Sequence, residues 1–140
     1  MTSKDKILEA VNLAWEDLAP DIFQANIDAI EAVFYDWDAG ETLRSTGEVA
    51  GSPRNIVDTG ELRDSQAITT EGENTYLLDW GVNYALPVHE GDPTRNYQAR
   101  PWTQLAIAGD ETADPNYQTP YAFLNVPDAF TERFRAIAGL

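Results

Sequence analysis

In TYLLDWGVNYALPVHEG, residues Thr75–Gly91, Tyr76, Leu78, Trp80 and Val82 alternate with Leu77, Asp79 and Gly81. A period of two puts the first set on one face, so the segment predicts a half-buried strand. Asn83-Tyr84-Ala85-Leu86-Pro87 then leaves the strand as a turn, because Pro87 has no N–H to give a ladder. Upstream, Ala67–Thr70 is rich in β-formers and is separated from Thr75 by Glu71-Gly72-Glu73-Asn74. The pair predicts an antiparallel hairpin with a four-residue connection.

Before the hairpin, Asp58 or Thr59 can cap a short helical turn that buries Leu62. Residues 40–56 hold a Gly/Ser/Pro-bearing run without periodic burial, which predicts a flexible loop. Further back, Ser3 can cap a helix whose apolar face is Ile7, Leu8, Val11, Ala14, Trp15 and Leu18. Ala19-Pro20 breaks that pattern, and Pro20 suits the first position of a second helix with Phe23, Ile27, Ile30, Val33, Phe34 and Trp37 as its stripe. The two stripes differ by roughly a third of a turn, so a kink near Pro20 is expected.

After the hairpin, Pro101 opens a short helix to Ala108 with Trp102, Leu105 and Ala106 on one face. A last helix from about Pro127 carries Phe130, Phe134 and Ile137 and stops at Gly139. The expected fold is α+β: N-terminal helices packed on a small antiparallel sheet, with short helices after the sheet and at the C-terminus. One domain of 140 residues divides into a helical region (1–39), the loop (40–56), a sheet region (57–108), an exposed excursion (109–126) and the C-terminal helix (127–140).

Composition narrows function. There is no cysteine, which removes thiol chemistry, and no apolar run approaches the ~18–20 residues of a membrane span. With no N-terminal basic and apolar signal, the chain is expected to be soluble and not secreted. A net charge of −15 argues against attraction to nucleic-acid phosphates or anionic membranes. It suits plain solubility, a basic protein partner, or a surface that DNA passes without sticking. From Ile7 to Leu43 there are nine acids and no Lys or Arg. Along a helical path Asp17, Asp28, Glu31 and Asp38 share one stripe, which is either a solvated face or one turned to a lumen or partner.

Catalytic patterns are thin. His89, the only histidine, could act as a general base or a metal ligand beside Glu90, or simply pack in a turn near Trp or Tyr. The HxxxH, HExxH and DxDxDG ligand patterns, the GxSxG elbow, and the GxGxxG and Walker loops are all missing.

Three segments together are more specific. Asp58-Thr59-Gly60-x-Leu62-Arg63-x-Ser65, then Tyr84-Ala85-x-x-Val88-His89-Glu90-Gly91, then Arg100-Pro101-Trp102 leading a helix, resemble in order and spacing the neck or tail-completion proteins of tailed bacteriophages. These are small head–tail joining proteins, also described as minor tail components. The resemblance covers residues 55–106. It implies a structural role without catalysis, cofactor or metal: a homo-oligomeric ring, sixfold, stacked in the virion neck between the portal-side connector and the tail-tube or terminator proteins. Such a protein is made in the host cytoplasm, and DNA passes through its ring without specific binding; the acid stripe could then line the channel. The motif residues read physically as scaffold, with Arg63 and Arg100 as partners for carboxylates such as Glu90 or Asp79. The chain departs from the family in lacking the basic residues such proteins commonly show along the N-terminal helical region and in the added stretch 109–126. Other readings of the same sequence are a tail terminator ring capping the tail tube, an acidic module that mimics DNA, and a hydrolase with carboxylates near His89.

Overall fold

The computed structural model describes residues 2–32, 41–52, 54–72, 74–95, 98–108 and 125–140, with the backbone alone at 95, 105, 107 and 108. Its first element is a 29-residue helix, α1 (Ser3–Glu31). Thr2, not Ser3, is the cap: its hydroxyl accepts from the Asp5 N–H at 3.1 Å. The Asp5 carboxylate in turn accepts from the Thr2 N–H at 3.0 Å and hydroxyl at 2.8 Å, closing a capping box. Those hydrogen bonds hold the Asp5 carboxyl below its usual range.

The break expected at Ala19-Pro20 does not occur, and one continuous helix runs through the proline. Proline in a free helix interior costs about 3 kcal/mol, because it removes a hydrogen bond and crowds the preceding turn. Here Pro20 lies on the exposed face, where water can satisfy the carbonyl it leaves open. Tertiary packing on the other face offsets the rest. The buried line runs through the proline as Ala10, Ala14, Leu18, Ala25, Asn26, Ala29 and Ile30. Phe23 and Ile27, expected at the centre of the second stripe, sit half-buried at its edge. Val33, Phe34 and Trp37 lie outside the described residues.

Two helices pack on this face: α4 (Trp102–Ala108) and α5 (Val126–Ala138). Against α5, the Trp15 and Phe130 rings sit 4.4 Å apart. Arg133 of α5 reaches across the proline step, donating to the Asp17 carbonyl at 3.1 Å and pairing with the carboxylates of Asp17 and Asp21. The end of α5 follows expectation at Gly139, in the left-handed region at φ 74°, but Ile137 is 41% exposed and lies outside the packed face. Its start is Val126, capped by Asn125, so the expected excursion shortens; residues 109–124 lie outside the description.

The expected loop at 40–56 contains a small antiparallel hairpin, β1 (Thr42–Leu43) with β2 (Val49–Ala50). Strands of two residues have too few ladder bonds to stand alone. Arg54, buried at 6% exposure, supplies the missing ties by donating to Thr42 Oγ1, the Gly51 carbonyl and the Ala50 carbonyl at 2.5–2.6 Å. A buried guanidinium carries no apolar periodicity, so a hydrophobic pattern could not announce it.

The main hairpin is as expected in type and face: β3 (Gln66–Gly72) pairs antiparallel with β4 (Thr75–Trp80), and Tyr76, Leu78 and Trp80 are half-buried while Thr75, Leu77 and Asp79 are exposed. Its connection is tighter than four residues, since β3 runs on to Gly72 after a bulge and Asn74 takes a positive φ of 58°. Gln66 ties the base to α1 by donating to the Phe23 carbonyl at 3.0 Å. Two short helices complete the fold, α2 (Glu61–Asp64) and α3 (Ala85–Glu90). The second replaces the turn expected at Asn83–Pro87; Pro87 is the third residue of α3, where no intrahelical N–H partner is needed. The core gathers Ala25, Ala29, Ile30, Ala32, Leu62, Trp102 and Ala106, with Trp80, Tyr84 and Val88 packed around it. Among the described residues, no helix is long and apolar enough to cross a membrane.

Candidate functional site

The three motif segments, distant in sequence, meet at this core. In the first, Gly60 is the N-cap of α2 at φ +89°, a conformation that disfavours any side chain. Leu62 is buried as expected, and Ser65 closes the turn by donating to the Leu62 carbonyl at 2.7 Å. Thr59 accepts from the Glu61 N–H at 3.3 Å. Asp58 does not cap α2; its carboxylate accepts from the Ser45 N–H at 2.7 Å and from the Ser45 hydroxyl, tying the β1–β2 hairpin to the motif. Arg63 pairs with Glu31 at 3.0 Å and Asp64 at 2.9 Å, rather than with Glu90 or Asp79. The reason is reach: α2 lies against the end of α1, which brings Glu31 to the guanidinium.

A carbon added at Gly60 would meet Arg63 Nη2 at 2.7 Å. Gly60→Ala is therefore expected to cost about 1–2 kcal/mol from the left-handed backbone, and to loosen the Arg63–Glu31 pair. Denaturant midpoints of Gly60→Ala and Arg63→Ala check this: the double variant should lose less than the sum of the singles.

The second segment docks on the first through Tyr84. Burial, then the nearby Glu61 charge, push its phenol pKa up. The phenol thus stays protonated and able to donate. Ala85 and Val88 pack against the core. Gly91 ends α3 at φ 84° and ψ 160°, a region open essentially to glycine.

The third segment completes the cluster. The Val88 carbonyl accepts from the Arg100 N–H at 3.0 Å, and the Arg100 side chain donates to the Gln98 carbonyl at 2.6 Å. Pro101 leads into α4, its carbonyl accepting from the Gln104 N–H at 3.1 Å. Trp102 is 1% exposed and meets Trp80 edge-on at 5.4 Å. His89 also meets Trp102 edge-on, at 4.8 Å. Its Nδ1 lies 2.5 Å from Glu90 Oε1 and its Nε2 2.6 Å from Thr103 Oγ1. A carboxylate at Nδ1 favours a proton there, which leaves Nε2 of the neutral ring to accept from the Thr103 hydroxyl. With its side chain only 16% exposed, the histidine clamps α3 to the first turn of α4. Thr103 and Glu61, which complete these links, carry no pattern in the sequence that would single them out.

Of the acid stripe, Asp17, Asp28 and Glu31 fall on one side of the continuous α1, within an arc of roughly 60°. Asp17 is paired with Arg133, Asp28 accepts from Gln24 at 2.9 Å, and Glu31 is paired with Arg63. Asp38 lies outside the described residues. Among the described residues, no group of three His, Asp or Glu side chains is placed to hold a metal ion. Comparisons of the chain with protein-family models, with curated proteins and with solved structures find no match.

Proposed function

We propose that this chain is a structural protein of a tailed-bacteriophage virion, one subunit of a ring in the neck that joins head to tail and lets DNA pass. The observation that carries the reading is the convergence of the three motif segments on Trp102: the residues that resemble the family are those that hold one another in place. Residues with a shared structural task are expected to recur together in order and spacing. The partly paired acids of α1 fit a channel surface, since carboxylates facing DNA would offer phosphates no attractive contact.

Light scattering on a sizing column, over a wide concentration range, tests the reading. A discrete species near six subunits is the expected result; a strict monomer at the highest concentration would count against self-assembly and favour a binding module.

A further inference from the structure

The buried face of α1 outruns the body of the protein. Residues 2–9 are all exposed, yet Lys4, Ile7 and Leu8 continue the line that is buried from Ala10 onward, with Ile7 at 53% and Leu8 at 43% exposure. The capping box at Thr2 and Asp5 supports these turns, where the apolar side chains are only partly covered. Both lysines of the chain, Lys4 and Lys6, lie here, in a protein with a net charge of −15.

Elsewhere on the same helix a complementary surface faces solvent. Glu9, Leu13 and Glu16 form one line, with Leu13 40% exposed. At 100° per residue this line is roughly 150° around the helix from Lys4, Ile7 and Leu8. The interval from Lys4 to Leu8 equals that from Glu9 to Leu13, about one turn each.

We infer that the projecting first turns of α1 dock on the Glu9–Leu13 face of a second copy of this chain, Lys4 against Glu9 and Leu8 against Leu13. This rests on the ring reading and gives it an interface. The helices lie side by side, running the same way and staggered by five residues. Because the two surfaces are on opposite sides of one helix, each copy can give one and receive another, a head-to-tail contact that closes into a ring when the rotation allows. Neighbours in a sixfold ring are turned by no more than 60° from each other, so the shared direction is the one a ring permits, whereas antiparallel pairing belongs to a two-fold dimer. Charge selects the partner, since Lys4, one of only nine basic residues, meets Glu9 of an otherwise acidic molecule.

A charge swap in the full chain, read by light scattering, tests the contact. Lys4→Glu and Glu9→Lys should each shift assembly to roughly tenfold higher concentration or more, and the double variant should recover much of the loss. Ile7→Ser with Leu8→Ser should weaken assembly roughly tenfold or more while lowering the melting temperature only slightly, because about half of each side chain faces solvent in the subunit. If the wild type assembles and the single variants match it, or if the double variant recovers nothing, the proposed contact is wrong while the ring reading stands. If the wild type stays monomeric throughout, both fall.

Discussion

Trp102→Ala is expected to destabilise the fold by about 3–5 kcal/mol, the range for removing a fully buried large aromatic. That is a large share of the ~5–15 kcal/mol that holds a domain together. The core cluster it belongs to is rich in alanine, at Ala25, Ala29, Ala32 and Ala106, whose side chains have little reach to fill the space. The main hairpin and the second motif segment lose a shared surface at once: Trp80 at the base of β4 and His89 on α3 both meet this ring edge-on. Among the described residues, Trp102 Nε1 has no hydrogen-bond partner, so Trp102→Phe sacrifices area and not a polar contact, and should retain most of the stability. Urea unfolding of both variants reads this directly. A loss below 1 kcal/mol for Trp102→Ala would contradict the view that the motifs converge on it, and assembly should fail with the fold.

The elements that were legible in the sequence are those whose burial has a period. The β4 alternation of Tyr76, Leu78 and Trp80, the turn that buries Leu62, and the helix opened by Pro101 all appear in the fold as read. Short-range chemistry was less visible. YALPVHEG contains a proline, which suggests a break, yet Pro87 falls in the first turn of α3, where it is harmless. Polar ties were invisible: Arg54 organises the β1–β2 hairpin through carbonyls and a hydroxyl, and Asp58 bonds to Ser45, thirteen residues away. Neither bond leaves a mark in hydropathy. In the candidate site the chosen residues do come together, but the groups they meet, Glu61 near Tyr84 and Thr103 bonded to His89, could only be seen once the chain was folded.

The face of α1 that meets the core is built largely of small side chains, and Ala29→Leu tests what they do there. A search for large apolar side chains picks Phe23 and Ile27 along with Ile30, whereas the face that meets the core is Ala25, Asn26, Ala29 and Ile30. Small residues let α1 approach its neighbours closely, and Trp102 and Leu62 supply the bulk. Ala29 is 0% exposed, so three added carbons must displace core atoms. The result should be a loss of about 2–3 kcal/mol, although leucine is the more hydrophobic residue and nearly alanine's equal as a helix former. Ile27→Ala, at the half-buried edge, should cost less despite removing apolar area. The hydrophobic-stripe view orders the pair the other way, because it places Ile27 in the core and leaves Ala29 outside its stripe. Melting temperatures of the two variants therefore decide between a helix held by its large side chains and one held by the closeness its small ones permit.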